Sequence, residues 1–253
     1  MTSQSSSSTK WDLPRALVEP VFPTPGTHLG GYTLLDRIAD HPIAERWIAR
    51  AEQAGDDDDH ASRALLYRVT MPVSRAAQPA PLDHPHIQRA DEAAVRTAAG
   101  RWFVSSYPGR WGSVYTLAQI ARSRETGGFR PTEAALLAQH LLSASAHAHD
   151  AGVCHGPVSA HEVVLCPYGC ARIELYALTR RFRAEPDFDD ASASAEVASI
   201  ASLARALAPA DQHARDARPL HRWAQSVEER AAHDGIDAHA ALDGLVDAMH
   251  LPA

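Results

Sequence analysis

Nothing in the 253-residue sequence is apolar for long enough to cross a bilayer, and the polar opening MTSQSSSSTK lacks the basic-then-apolar order of a secretion signal. These two absences lead us to expect a cytoplasmic protein with no transmembrane segment. Positive charge is not in excess either. The formal net charge is −7, so the basic footprint of a nucleic-acid binder is missing and no nucleic acid is expected as a partner. Cysteine is scarce, at three residues, and only Cys166 and Cys170 in CPYGC are closely spaced. That spacing is similar to a zinc knuckle, to which Cys154 or His155 could add ligands, but no second pair follows to complete a four-ligand site. Packed or weakly exposed thiols in a reducing compartment are expected, and neither a metal nor a cofactor.

What the chain does contain is an ordered series of landmarks. HGPVSAHEVVL, His155 to Leu165, is a polar turn leading into an apolar strand, and ALLAQHLLSASAHAHDAG before it is a helix pattern. The buried face of that helix is read as Ala135, Leu136, Gln139, Leu142, Ala146 and His149, with Gly152 as the left-handed residue after its last turn. CPYGC then marks a tight hairpin, with Pro167 and Gly169 setting its backbone. Further upstream stand LDHPHIQR at Leu82 to Arg89 and GYTLLDRIADHPIAERWIAR at Gly31 to Arg50.

In this order the segments resemble a protein kinase of the bacterial Ser/Thr (Hanks) type, from about residue 30 to the C-terminus. The resemblance implies an α+β, two-lobed protein-kinase-like fold. Residues 1–27 would be a tail and apolar strap, residues 28–108 a small antiparallel β lobe, and residues 109–253 a mainly helical large lobe. The family's catalytic loop reads H-R-D-L-K-x-x-N, where the Asp is the base and the Asn holds a metal ion. Here His155 is kept, while Gly156 stands for Arg, Pro157 for Asp, Ser159 for Lys and Glu162 for Asn. Proline has no titratable group and cannot act as a general base.

The remaining functional positions are altered in the same way. The glycines of the phosphate-covering loop correspond to Ala39, His41 and Ala44, and Pro42 removes an amide donor. Arg68 is the candidate for the lysine of V-A-I-K, although a shift of one or two residues puts Leu66 or Tyr67 there. Ala49 matches the small residue that roofs the adenine pocket. TMPVSRAAQPAP offers no Glu, and its prolines leave room for one helical turn at most, so helix C is expected to be reduced or missing. Aligning IELYALT with V-K-L-x-D-F-G puts Ala177 at the metal-binding Asp, and alanine cannot ligate a hard cation. The activation segment is missing or greatly shortened, and Glu196 falls where the family's central large-lobe helix usually carries Asp.

The resemblance therefore implies a pseudokinase: not an enzyme, but a protein-binding scaffold or regulatory subunit whose partner is another protein or a larger complex. The alternatives are a kinase-fold enzyme with altered transfer chemistry, drawing on Arg68, His155, Glu162 and Glu174, or a nucleotide sensor without catalysis. The apolar leader WDLPRALVEPVFPTPG either packs on its own small lobe or docks on the partner through Trp11, Leu17 and Phe22. The run of four Asp in QAGDDDDHAS reads as a solvated hairpin loop. Trp223, Val227, Leu242, Leu245, Val246 and Met249 are read as core residues of two closing helices.

Overall fold

Apolar residues alternating with a period of two build the N-terminal part of the chain into sheet, and a helical period takes over after residue 116. The computed structural model describes residues 22–52, 63–69, 77–97, 100–108, 114–124, 128–166, 169–208 and 215–252. Along the chain run β1 (His28–Leu29), β2 (Tyr32–His41), β3 (Ala44–Ala51), β4 (Arg63–Val69), β5 (Ile87–Gln88), β6 (Ala90–Thr97), β7 (Gly100–Ser106) and β8 (Tyr115–Thr116). These are followed by α1 (Leu117–Ser123), α2 (Pro131–Asp150), β9 (Val163–Leu165), β10 (Ala171–Glu174), α3 (Leu178–Phe182), α4 (Asp190–Leu207), α5 (Arg218–His233) and α6 (Ala238–Met249).

A six-stranded antiparallel sheet in the order β1-β2-β3-β4-β7-β6 forms the small lobe. Its two faces separate by alternation. Leu34, Trp47, Ala49, Leu66 and Trp102 pack on the outer face, while Ile48, Leu65, Tyr67, Val69 and Phe103 turn toward the large lobe. That inner face joins Val164, Leu175 and Leu178 in one apolar cluster, so the two lobes share a core. Between Val69 and Ile87, the described residues 77–86 are not helical, and Ala77 and Ala80 are buried in an extended stretch. Trp11, Leu17 and the acidic run lie outside the described residues, as do residues 70–76, where the rest of the helix C expectation falls. Phe22 is 73% exposed and covers no core.

The large lobe is built on α2, which packs against α4 and α6, with α5 closing over α4. The expected helix end is present: Gly152 has φ +73°, its N–H donates to His149 O at 2.9 Å, and Val153 N–H donates to Ala148 O at 2.9 Å. The buried face of α2 is wider than its sequence suggested. Ala134, Leu137, Ala138, Leu141 and Ala144 are buried beside Ala135, Leu142 and Ala146, because the helix is covered from two sides. Leu136 is left on the narrow solvent strip at 39% exposure, and Gln139 is half-buried, donating to Pro252 O at 2.8 Å. Of the residues expected in the closing helices, Trp223, Val227 and Leu245 are buried, while Leu242, Val246 and Met249 are half-buried at the edge.

Candidate functional site

The β9–β10 hairpin, the turn before it and the start of α4 converge beneath the small lobe, where a kinase would hold its nucleotide and catalytic loop. The turn is held from below by Glu196, a fully buried residue of α4. Its carboxylate accepts from the backbone N–H of His155 at 2.6 Å and of Gly156 at 3.2 Å, from Ser145 Oγ at 2.6 Å and from Tyr176 Oη at 2.6 Å. Burial opposes its charge, yet hydrogen bonding from His149 and the charges of His155 and His149 hold the carboxyl below the usual carboxylate range. Gly156 has φ +87°, a conformation that strains any residue with a Cβ, so glycine suits the path this turn takes. Pro157 is exposed at the apex.

Three of the four polar groups that alternative chemistry would need, Arg68, Glu162 and Glu174, are already engaged, while the buried His155 Nδ1 has no hydrogen-bond partner among the described residues. The Glu162 carboxylate accepts from Ser159 N at 2.8 Å and Ser159 Oγ at 2.7 Å, which ties it into its own loop. Arg68 turns away from the large lobe and pairs with Glu45, Nε to Oε2 at 2.7 Å. Tyr67, one residue earlier, faces the large lobe and bonds Glu174. His155 lies edge-on to the Tyr176 ring, with 5.2 Å between centroids.

The cleft itself is filled by a constellation that the sequence reading missed. Arg46, in the middle of β3, points inward between Ala44 and Ile48 and is fully buried. Its Nε donates to Glu174 Oε1 at 2.9 Å, and its Nη2 donates to Glu174 Oε2 and, at 3.0 Å, to His161 O. Tyr67 Oη donates to Glu174 Oε1 at 2.7 Å. Glu174 is fully buried as well; burial pushes its carboxyl up, against the opposing pull of Arg46. The small lobe thus reaches down through a guanidinium and a phenol to one carboxylate at the end of β10. One signal was available in the sequence: in AERWIARA, Arg46 sits in phase with Ala44 and Ile48, on the apolar face of the strand.

The turn that should cover phosphates closes the cleft from the other side. His41 pairs with Ala44 at the mouth of the β2–β3 hairpin and is 4% exposed; Ile43 is buried to the same degree. Burial, then the charges of Arg46, His155 and His161, hold the His41 imidazole well below its ordinary value, so the ring is neutral. Ala44 is buried in the shared core, Ala39 lies on β2, and Pro42 is exposed in the turn. Ala49, expected as the adenine roof, is on the outer face of the sheet, and Ile48 is the residue that faces the large lobe.

Ladder pairing in β10 runs Ala171↔Leu165, Arg172↔Val164 and Ile173↔Val163, and the strand ends at Glu174. Leu175 follows with φ 48° and enters the core between the lobes, whereas Ala177, with φ 61°, lies in the helical-lobe core at the start of α3. Neither side chain carries an oxygen, so the magnesium site implied by the fold does not fit these residues. Among the described residues no three His, Cys, Asp or Glu side chains converge as metal ligands. Residues 183–189 alone join α3 to α4. Arg180 holds this short connection by donating to Pro186 O at 2.8 Å and Asp189 Oδ2 at 2.6 Å, while Arg181 ties Asp187 to Gln78 O.

An antiparallel β lobe, a mainly helical lobe and a buried acidic anchor under the loop between them define a protein-kinase-like fold. The solved structure of the Mycobacterium tuberculosis PknI kinase domain is similar, with a TM-score of 0.65 and 15% sequence identity over 90% of this chain and 100% of that one. A double mutant of the same domain gives the same score and identity, with 99% of its chain covered. No family model matches the sequence, and no curated protein does. Among the described residues no helix is long and apolar enough to cross a membrane.

Proposed function

We propose that this protein is a pseudokinase: a kinase fold that transfers no phosphoryl group and acts by holding another protein, as a scaffold or regulatory subunit. The observation that carries this reading is the set of buried bonds between the lobes, where Arg46 and Tyr67 of the small lobe both engage Glu174. A buried ion pair that spans two lobes favours a closed, fixed arrangement over the opening and closing of a catalytic cycle. Pro157 in place of the base and Glu162 turned onto Ser159 point the same way. Altered transfer chemistry finds less support, since Arg68, Glu162 and Glu174 are already committed to partners within the protein. Nucleotide sensing loses its main sequence signal, because Ala49 lies on the outer face.

The test is nucleotide binding and turnover by the purified protein. A ligand that binds only the folded state at 100 times its dissociation constant adds about 2.7 kcal/mol of stability, which a melting curve resolves readily. We expect no shift with millimolar ATP and magnesium or manganese, and no phosphate incorporated into the protein or generic substrates. A saturable shift would favour the sensor, and incorporation abolished by Glu162→Gln would favour an enzyme.

A second prediction concerns the leader. Deleting residues 1–21 spares the bonds of Gly26 and Thr27 to Leu34, so the melting temperature should hold while capture of the partner from native extract weakens. A clear fall in melting temperature would make the strap part of the small lobe instead.

A further inference from the structure

We propose that Cys166 and Cys170 are a modification site, a dithiol that converts reversibly to a disulfide by exchange with a low-molecular-weight disulfide, with His86 positioning the attacking Cys170 sulfur. The two residues face each other at the tip of the β9–β10 hairpin. Cys166 N–H donates to Cys170 O at 2.8 Å, and Gly169 N–H to Cys166 O at 3.0 Å, with Gly169 in the left-handed region at φ +78°. The Cys166 and Cys170 thiols are also within hydrogen-bond reach of each other, which sets the two sulfurs side by side on one face of the hairpin. A disulfide can close from that placement. Both thiols are partly exposed, whereas Cys154 is fully buried.

Two imidazoles flank the peptide next to Cys170. His86 Nδ1 lies 3.0 Å from Ala171 O and 3.3 Å from Cys170 Sγ. A carbonyl oxygen can only accept, so Nδ1 carries the hydrogen, and the same N–H is within reach of the sulfur, which it holds in place. His140 stacks on His86 with 4.1 Å between centroids, and its Nδ1 accepts from Ala171 N at 3.4 Å, which fixes the pair. Burial holds both rings below their ordinary value, His140 at about 4, so His86 keeps this neutral form at neutral pH. The charge facing the other thiol is Arg172. Burial pushes Cys166 up, Arg172 pulls it down and the Cys170 thiol adds to the rise; the imidazole contact is to Cys170, which leaves Cys166 as the second, resolving thiol.

The exchange balances without another reactant. The Cys170 thiolate attacks one sulfur of the small disulfide and expels one thiolate. Deprotonated Cys166 then attacks Cys170 Sγ in the mixed disulfide, forming the Cys166–Cys170 bond and releasing the second thiolate. The two protons lost by the protein end on the two small thiols. Because the bond closes a very short loop, it constrains little of the unfolded chain and stays easy to reduce. Cys166 and Gly169 border a groove lined by Tyr115, Leu136, Leu137 and Leu165, so oxidation would stiffen the rim of that groove.

The experiment treats the full chain with glutathione disulfide and maps its thiols by mass spectrometry. Cys166 and Cys170 should disappear together into one intramolecular bond that reduced glutathione reverses, with Cys154 still free. Cys166→Ser should trap glutathione on Cys170. In that background His86→Ala should slow alkylation of Cys170 at pH 7 by about tenfold, and His86→Asn, which keeps an N–H donor, should recover part of the rate, which loss of packing alone would not do. The proposal is overturned if both thiols stay free under oxidising buffer, if Cys154 reacts as fast, or if the pair instead takes up stoichiometric zinc.

Discussion

Replacing Glu174 by Ala is expected to lower the unfolding free energy by about 3–5 kcal/mol, the range found when one partner of a buried ion pair is removed. The substitution takes away the carboxylate that faces the fully buried Arg46 guanidinium, and with it the acceptor of Tyr67 Oη. Replacing Arg46 and Glu174 together by Met should recover most of that loss or exceed the parent, because two apolar side chains need no desolvation of charge. Urea unfolding of the two variants, compared through their midpoints, decides the matter. Equal destabilisation in the single and double variants would mean that shape, and not charge, is what this pair supplies.

Glu196→Ala carries the second large effect, about 3 kcal/mol or more. Two backbone N–H groups, one serine hydroxyl and one tyrosine hydroxyl lose the same acceptor at once, and each buried donor left without one costs about 1–3 kcal/mol. Partial relaxation keeps the sum below the simple total. The ionised carboxylate also predicts a pH dependence. Because its pKa in the folded protein lies below the ordinary value, its contribution is fully present above about pH 4.3 and is lost as pH falls through the folded value. The stability gap between the parent and Glu196→Gln should therefore be constant near neutral pH and shrink in acid. A gap that does not change with pH would mean that Glu196 is neutral in the folded protein.

The landmarks legible in the sequence were those written locally. The α2 pattern and its terminal Gly152, the hairpin around Gly169 and the loop ending at Glu162 each depend on neighbours a few residues away, and each is where the pattern put it. Strand phase was harder to read. The run ALLYRV is apolar on both faces, so nothing local said whether Tyr67 or Arg68 faces the cleft, and a one-residue slip inverts the answer. The site's central feature was hidden by distance. Arg46 and Glu174 are separated by 128 residues, and although Arg46 sits in the apolar phase of its strand, nothing local names Glu174 as its partner. Only the side-chain contact between the lobes, from β3 to the end of β10, explains why two charges are buried there.

That separation also bears on how the chain is made. The small lobe's inner face, from Ile43 to Phe103, is completed by Val164, Leu175 and Leu178, which leave the ribosome much later. At about 5–20 residues per second the newly made sheet waits on the order of 4–15 s for the segment that covers it. During that interval Leu65, Val69 and Phe103 have no lid, and such a face invites aggregation. Arg46 stands in the middle of it. Its bond to Glu174, which ties the two lobes together, can form only once synthesis has passed β10.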